Sequence, residues 1–142
     1  MTKDQAVQKL SAILEDSRVG VLSSVKQNKP KARYMTFFND GSTLYTPTSA
    51  DTCKVDELEK NPSVHVIVGY EGEGFGDAYV EIEGHATISE NQSLKEKMWD
   101  DSFKAMFTGD NDPDYVILEI KPAQMTINNR KQQLEPEIIS FQ

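Results

Sequence analysis

The sequence predicts a mainly β protein of the α+β class, a small antiparallel barrel with peripheral helices. Short apolar runs of strand type recur along the chain, and hairpin turn signals separate several of them. Only three segments show helical periodicity, at about 3–16, 52–60 and 90–107. A doubly wound parallel sheet would need a helix after nearly every strand, which this order does not provide. A barrel of short, hairpin-linked strands accounts for the order best.

Length and charge restrict the function classes. The 142 residues predict one domain spanning 1–142, with residues 130–142 as a C-terminal tail. A net charge of -8 and a pI of about 4.7 argue against nucleic acid and anionic membranes as partners. No apolar run approaches the roughly 18 residues needed to span a bilayer. The first residues carry no apolar signal core.

Cysteine and histidine usage points to a reducing compartment. The single cysteine, Cys53, excludes an internal disulfide, and we expect a cytoplasmic protein. One cysteine and two histidines make a structural zinc site unexpected, so we predict no metal ligands.

The first half of the chain predicts one helix and three strands. Thr2 and Gln5 have the spacing of a capping box at the start of helix 3–16. The helix has one apolar face, made of Ala6, Leu10, Ile13 and Leu14. Strands are predicted at 19–25, 32–38 and 43–46, with a hairpin turn at 39–42.

The second half adds two helices and four strands. The helix over 52–60 is capped by Asp51 or Thr52. Ser89 and Gln92 predict a second capping box before the helix over 90–107. Strands are predicted at 63–70, 79–88 with a bend near Gly84, 115–120 and 124–128, with a glycine-rich loop at 71–77 and a turn at 121–123. We expect the apolar tail residues, Ile138, Ile139 and Phe141, to dock on the body or on a partner subunit.

The segment from Tyr45 to Lys54 concentrates groups that bind anions. It places four hydroxyls and one ammonium at the start of a helix, on Thr46, Thr48, Ser49, Thr52 and Lys54. Hydroxyls, a cation and free helix amides together form an anion site, and the usual anion is a phosphate. Arg33, on a preceding strand, is placed to join it. The alternative is ordinary turn and capping chemistry, which uses the same residue types.

No catalytic constellation appears, so the catalytic residues stay unknown. His65 and His85 lie on predicted strands and are interpreted as surface or packed residues, since no partner for either is evident. Trp99 lies on an amphipathic helix, where core or dimer packing outweighs a cofactor contact. Cys53 is interpreted as a small buried residue, with a redox role as the alternative.

The ordered set of motifs resembles the pyridoxamine-phosphate-oxidase-like FMN-binding split-barrel family, and within it most closely the general-stress-protein branch. The resemblance covers nearly the whole chain. It is carried by RYMTFF at 33–38, LYTPTS at 44–49, Lys54, VHV at 64–66, YVEIEGHA at 79–86, MW at 98–99 and FTGDNDPDY at 107–115.

The resemblance implies FMN bound between the two subunits of a homodimer. It implies that Arg33, Ser49 and Lys54 hold the phosphate. The strand containing Arg33, Tyr34, Met35 and Thr36 would run beside the isoalloxazine, and Tyr45 and Thr46 would lie near the ribityl-phosphate end. Much of the family carries a tryptophan near the end of the last hairpin, where this chain reads MTINN at 125–129. The resemblance therefore supports flavin binding more than pyridoxamine phosphate oxidation.

Two functions follow as expectations. The first is an FMN-dependent oxidoreductase acting on an unknown small molecule, in which the cofactor carries the chemistry. The alternative is a non-catalytic flavin-binding stress protein that acts as a carrier, buffer or sensor. A third possibility is another planar cofactor, a deazaflavin or haem, although no histidine ligand context for haem is evident.

Overall fold

The fold is one antiparallel sheet curled into an open barrel, with helices at its periphery. The computed structural model describes residues 1–51, 53–69, 78–129 and 135–142, without the side chains of residues 53–55 and 129. The predicted loop 71–77 and the predicted cap Thr52 therefore lie outside the described residues. The elements are α1 (Lys3–Asp16), β1 (Val19–Lys26), β2 (Lys29–Thr36), β3 (Phe38–Asp40), β4 (Thr43–Ser49), α2 (Cys53–Lys60), β5 (Ser63–Val68), β6 (Ala78–Ser89), α3 (Gln92–Met98), a 3-10 helix (Asp101–Ala105), β7 (Tyr115–Asn129) and β8 (Glu137–Ser140).

Strand order confirms the predicted split barrel. The sheet runs β2-β1-β5-β6-β7-β4-β3, and β8 adds to β7. Each ladder is antiparallel. Although β2 and β4 lie near opposite ends of this order, they approach each other in space. The sheet therefore curls, and its concave side encloses the core.

The first helix closes one side of this core. Its predicted bounds and capping box are both confirmed, because the Gln5 amide donates to Thr2 Oγ1 at 3.1 Å while Gln5 Oε1 accepts from the Thr2 amide at 2.9 Å. Ala6, Leu10 and Leu14 are fully buried on one face of α1. They pack with the inward side chains of the strands into a single cluster. Burial of this face rather than helix propensity supplies most of the helix stability.

Strands β6 and β7 form the longest ladder and contain a bulge. Glu83 pairs with Gln124 and Gly84 pairs with Pro122, so one residue of β7 is left unmatched. The predicted bend near Gly84 is confirmed. The predicted turn at 121–123 is wrong, because β7 continues through it. Pro122 lacks an amide hydrogen, and an irregular ladder tolerates it where a regular one would lose a hydrogen bond.

The predicted helix over 90–107 is two shorter elements. Asn91 caps α3 by accepting from the Leu94 amide at 3.0 Å, so the predicted capping box at Ser89 and Gln92 is wrong. Trp99 is extended, and Asp100 starts the 3-10 helix by accepting from the Ser102 amide at 2.9 Å. Two local caps therefore interrupt a pattern that is continuous in sequence.

This broken helix covers the outer face of β7. Tyr115 is fully buried there, and its ring packs edge-on to Trp99 with the centroids 5.3 Å apart. Tyr115 donates its hydroxyl hydrogen to the Lys95 carbonyl at 2.9 Å. Phe103 and Phe107 complete this aromatic cluster. Trp99 therefore packs within the fold, as predicted.

The tail returns to the body as a strand. Residues of β8 pair with β7, and Ile139 is buried opposite Met125. Phe141 packs against the core, while Ile138 stays 66% exposed. The tail was predicted to dock on the body of the protein or on a partner subunit. Ile139 and Phe141 pack on the body of the same chain.

We predict that Gly84→Ala destabilises the fold. A Cβ at this position would meet the backbone carbonyl of Lys121 and the Cα of Pro122, which belong to the paired strand and are not free to move. The expected loss is about 1–3 kcal/mol of unfolding free energy, measured by urea denaturation. Gly109→Ala is the matched control, because its nearest neighbour is the Asn111 side chain at an ordinary 3.4 Å. Equal losses in both variants would contradict this account.

We also predict a loss of stability at high pH that depends on Tyr115. Burial, with a smaller contribution from Asp110, raises the pKa of Tyr115 from 10.0 to about 12. Between pH 10 and 12 the unfolded chain releases this proton while the folded chain retains it, so stability falls as pH rises. The expected decline is up to roughly 2 kcal/mol, from the linkage of one pKa to folding.

Urea denaturation at a series of pH values measures this decline. Tyr115→Phe should make it shallower, whereas Tyr34→Phe, which removes an 80% exposed tyrosine, should leave it as in the parent. An unchanged slope in the Tyr115 variant would contradict the assignment.

Candidate functional site

The barrel is split between β2 and the second half of β4. Only Phe37 separates β2 from β3, and β3 pairs with β4 through Asp40 opposite Thr43 to Phe38 opposite Tyr45. Beyond Tyr45, β4 pairs with β7 on one side, and no ladder joins it to β2 within the described ranges. Backbone groups along both strands therefore point into the split, where a ligand can meet them.

Arg33 lies on β2 beside this split and is held by two side chains. Its Nη1 donates to Ser24 Oγ at 2.6 Å, and its Nη2 donates to Glu57 Oε2 at 3.0 Å. The Ser24 hydroxyl also donates to Glu57 Oε2, at 3.1 Å. Ser24 and Glu57 are buried, whereas the Arg33 side chain retains 24% exposure. The guanidinium is thus oriented from inside the protein and reachable from outside.

Basic residues are concentrated on β2, the second strand of the β1–β2 hairpin. Lys29, Lys31 and Arg33 occupy alternate positions of β2. Residues 17–39 contain no aspartate or glutamate, although the whole chain carries a net charge of -8. Alternate strand residues share a face, so these cations create a local positive potential at this end of the split.

Strand alternation divides the predicted residues of β2. Arg33 and Met35 stand opposite Leu22 and Gly20 on the inner face, and Met35 packs against the core. Tyr34 and Thr36 lie on the outer face, where Tyr34 is 80% exposed. The strand presents a cation inward and an aromatic ring outward.

The same alternation divides the hydroxyls predicted to form one anion site. The strand β4 extends to Ser49, three residues beyond its predicted end. Thr46 and Thr48 are therefore buried inside the barrel, opposite Leu118 and Val116, while Tyr45 and Ser49 lie on the outer face. The structure brings these residues to one strand without gathering their hydroxyls at one point.

Ser49 is engaged by an acidic residue. Its hydroxyl donates to Asp114 Oδ2 at 2.6 Å, and the Asp51 amide donates to Asp114 Oδ1 at 3.1 Å. Asp112 fixes this loop by accepting from the amides of Thr108 and Asp114, each at 2.9 Å. These two hydrogen bonds hold the pKa of Asp112 below its usual range. A phosphate at Ser49 would meet the negative charge of Asp114.

Thr46 contains an unpartnered polar atom. Its Oγ1 is, within the described part of the chain, the one buried side-chain oxygen or nitrogen without a hydrogen-bond partner. An unsatisfied buried hydroxyl costs about 1–3 kcal/mol. Thr46 is 0% exposed and faces the interior of the barrel, so its hydroxyl is not accessible from the split.

The last two predicted site residues are Tyr45, on β4, and Lys54, on α2. Burial raises the pKa of Tyr45, and the carboxylates of Glu119 and Asp40 raise it further, so this phenol stays neutral at physiological pH. Position 54 lies in the first turn of α2, three residues before Glu57, and the Lys54 side chain lies outside the described residues.

Ser24 and Glu57 were not among the site residues predicted from the sequence, and Asp114 was noted only as part of the motif at 107–115. Ser24 belongs to an apolar strand, and Glu57 is one acid among several on an amphipathic helix. No local pattern distinguishes either one. Their contact with Arg33 joins residues 9 and 24 positions apart and depends on the barrel.

The two histidines lie on the strands β5 and β6. His65 Nε2 lies 3.4 Å from Glu81 Oε1, and His85 is exposed opposite Ser63. Both are surface or strand residues, in agreement with the sequence interpretation. None of the described helices is long and apolar enough to cross a membrane.

Comparison with known proteins supports the fold and shows the family to which this chain belongs. The profile of the family described as pyridoxamine 5'-phosphate oxidase matches residues 6–129. General stress protein 26 of Bacillus subtilis is 47% identical over 129 residues, which cover 91% of this chain and 92% of that protein.

Solved structures agree with this relationship. General stress protein 26 from Bacillus anthracis superposes with a TM-score of 0.83 at 33% identity, over 96% of this chain and 99% of that one. A candidate pyridoxamine 5'-phosphate oxidase from Listeria innocua gives 0.77 at 44% identity, over 87% and 98%. A Mesorhizobium loti protein described as FAD-binding shares the fold alone, with a TM-score of 0.66 at 20% identity over 83% and 90% of the two chains.

The family profile spans the barrel from α1 to the end of β7, and the most similar relatives align over nearly their whole lengths. The chain is therefore a homologue of general stress protein 26 and belongs to the pyridoxamine 5'-phosphate oxidase family.

Proposed function

We propose that this protein binds FMN in the split between β2 and β4 and acts as an oxidoreductase on a small molecule. The observation that carries the proposal is the partly exposed guanidinium of Arg33 at the basic end of the split. Membership of a generally flavin-binding family supports it, and so does the FAD-binding description of one protein with this fold.

The donor set fits a phosphate at Arg33. A guanidinium offers five N–H donors in a fixed plane, and the hydrogen bonds to Ser24 and Glu57 use two of them. The remaining donors and the nearby lysines suit a dianionic group. Thr46 and Thr48 do not fit a phosphate role, because they are enclosed in the barrel. Ser49 fits less well than Arg33 because it faces Asp114.

The chain positions the cofactor rather than supplying acid or base groups. Arg33 holds the phosphate, and we assign a second phosphate contact to Lys54 in the first turn of α2. Backbone groups on the side of β2 that faces away from β1 would meet the polar edge of the ring, and the neutral phenol of Tyr45 tolerates the uncharged ribityl chain. When bound, the flavin would supply the electron-pair transfer. The catalytic residues stay unknown.

A partner subunit would complete the site on the outer face of the sheet. Tyr34, Val21 and Ile67 lie side by side on adjacent strands of this face. Tyr34 is 80% exposed, and the neighbouring Val19 is 54% exposed. Contiguous exposed apolar side chains of this kind are typical of an interface. We propose a homodimer that uses this face, so that Tyr34 lies beside the flavin and the partner.

FMN titration against riboflavin tests the binding site. We expect the protein to quench FMN fluorescence with a micromolar dissociation constant. Riboflavin should bind more weakly because it lacks the phosphate. The double variant Arg33→Met/Glu57→Gln removes the cation without leaving a buried unpaired carboxylate. It should weaken FMN about tenfold or more and leave riboflavin nearly unchanged, as expected for loss of a charged hydrogen bond.

Lys121→Met is the matched control, since Lys121 is an exposed strand cation that lies on β7 and outside the basic run of β2. Equal loss for both flavins in the double variant would contradict the phosphate assignment, and no binding by the parent would contradict flavin binding itself. Anaerobic reduction of the bound flavin by NADH or NADPH separates an enzyme from a non-catalytic binder.

The mass in solution tests the interface. We expect a dimer at micromolar concentration by light scattering. Tyr34→Glu should shift it toward monomer, because a carboxylate would enter an apolar face, and should weaken FMN binding in parallel. Met106→Glu is the control, because Met106 is also exposed, at 70%, but lies beyond the 3-10 helix. A monomeric parent protein would contradict a site shared between subunits.

A further inference from the structure

Glu57 is a buried carboxylate that the proposed function does not yet explain. It is 7% exposed and directs one oxygen, Oε2, at two donors, Arg33 and Ser24. Arg33 and Ser24 also bind each other, so the three side chains form a closed triangle. A buried carboxylate requires such partners, because burial without them is costly.

The triangle places a negative charge where a phosphate would approach. The Glu57 carboxylate neutralises the guanidinium with a contact of 3.0 Å. It occupies one of the donor nitrogens that a phosphate would use in bidentate binding. An incoming phosphate therefore competes with Glu57 and is repelled by it, whereas an unphosphorylated ligand meets neither effect.

A cavity beside the triangle provides a second position for the carboxylate. Glu57 lines a cavity of about 220 Å³ together with two cations, Lys26 and Lys60, one further carboxylate, Asp56, and the amide of Asn61. Lys60 follows Glu57 by three residues on α2, a spacing that places two side chains on neighbouring positions of one helix face. A carboxylate displaced from Arg33 can therefore pair with Lys60 and avoid an uncompensated charge.

We propose that Glu57 is a built-in competitor for Arg33 that determines how strongly this protein prefers phosphorylated over unphosphorylated flavin. This inference rests on the proposed flavin site. The charges of Glu57 and Arg33 cancel in this pair, so a phosphate that binds the remaining donors of Arg33 also weakens or displaces the Glu57 contact, which is an exchange of one anion for another. The exchange lowers the net gain from the phosphate and keeps the cofactor replaceable.

The experiment compares dissociation constants for FMN and riboflavin in the parent, Glu57→Gln and Glu59→Gln. Glutamine keeps the size and hydrogen-bonding atoms of glutamate but removes its charge. Glu59→Gln is the matched control, because it makes the same charge change at an exposed position of α2. We expect Glu57→Gln to raise the FMN preference roughly tenfold, an effect between full water screening and the protein interior. Riboflavin affinity should stay unchanged in both variants.

The outcomes distinguish failure of the Glu57 inference from failure of the proposed flavin site. A lower or unchanged FMN preference in Glu57→Gln would show that Glu57 only braces Arg33, and would overturn the inference while the flavin site stands. No binding of either flavin by any of the proteins would overturn the proposed function and the inference with it. If Glu57→Gln does not fold, Glu57→Asp withdraws the carboxylate from Arg33 and should raise the FMN preference to a smaller extent. An unchanged preference there would overturn the inference.

Discussion

The irregular ladder between β6 and β7 is the constraint on which the rest of the structure depends. β7 pairs with β6, β4 and β8, so its shape is transmitted to most of the sheet. The bulge leaves Ala123 of β7 unmatched opposite the Glu83–Gly84 step and bends β7, and the close approach of the Lys121 carbonyl to Gly84 leaves no space for a side chain there. Because β7 bends, the sheet curls until β2 approaches β4. The split that carries the candidate site is a consequence of this curvature.

The polar residues beside the split follow a common rule. Arg33 and Ser49, two of the residues assigned to phosphate binding, are each held by a carboxylate, from Glu57 and Asp114 respectively. In a strongly acidic chain such pairing is readily available, and buried or half-buried polar groups need partners. Both Arg33 and Ser49 are therefore already satisfied by partners within the protein. On the proposed function, an anion at Arg33 would have to compete with Glu57, and this is the basis of the selectivity role proposed for Glu57.

Local sequence patterns predicted the parts of the fold that local interactions control. The capping box of Thr2 and Gln5 and the bend near Gly84 were both predicted, because each is determined by neighbouring residues or by the lack of a side chain. The predicted helix over 90–107 and the predicted turn at 121–123 were wrong for the opposite reason. Asp100 caps a new helix beneath the aromatic cluster, and β6 holds β7 extended through Pro122. The path of β7 depends on a strand distant in sequence, and the break in the helix combines local caps with the packing of Trp99 and Phe103 on Tyr115.

In the candidate site, too, some features follow from the sequence and others only from the tertiary structure. The sequence by itself determined the chemical types present, namely a cation on β2 and hydroxyls before α2, and their order identified the family. Only the tertiary structure decided which of these groups share a face and what they contact. Extending β4 to Ser49 directs Thr46 and Thr48 inward and Ser49 outward, because side chains alternate along a strand. Closing the barrel brings Glu57 to Arg33, 24 residues away, because α2 packs against β1 beside β2. Residue types are a property of the chain, whereas their partners depend on long-range packing that no local pattern encodes.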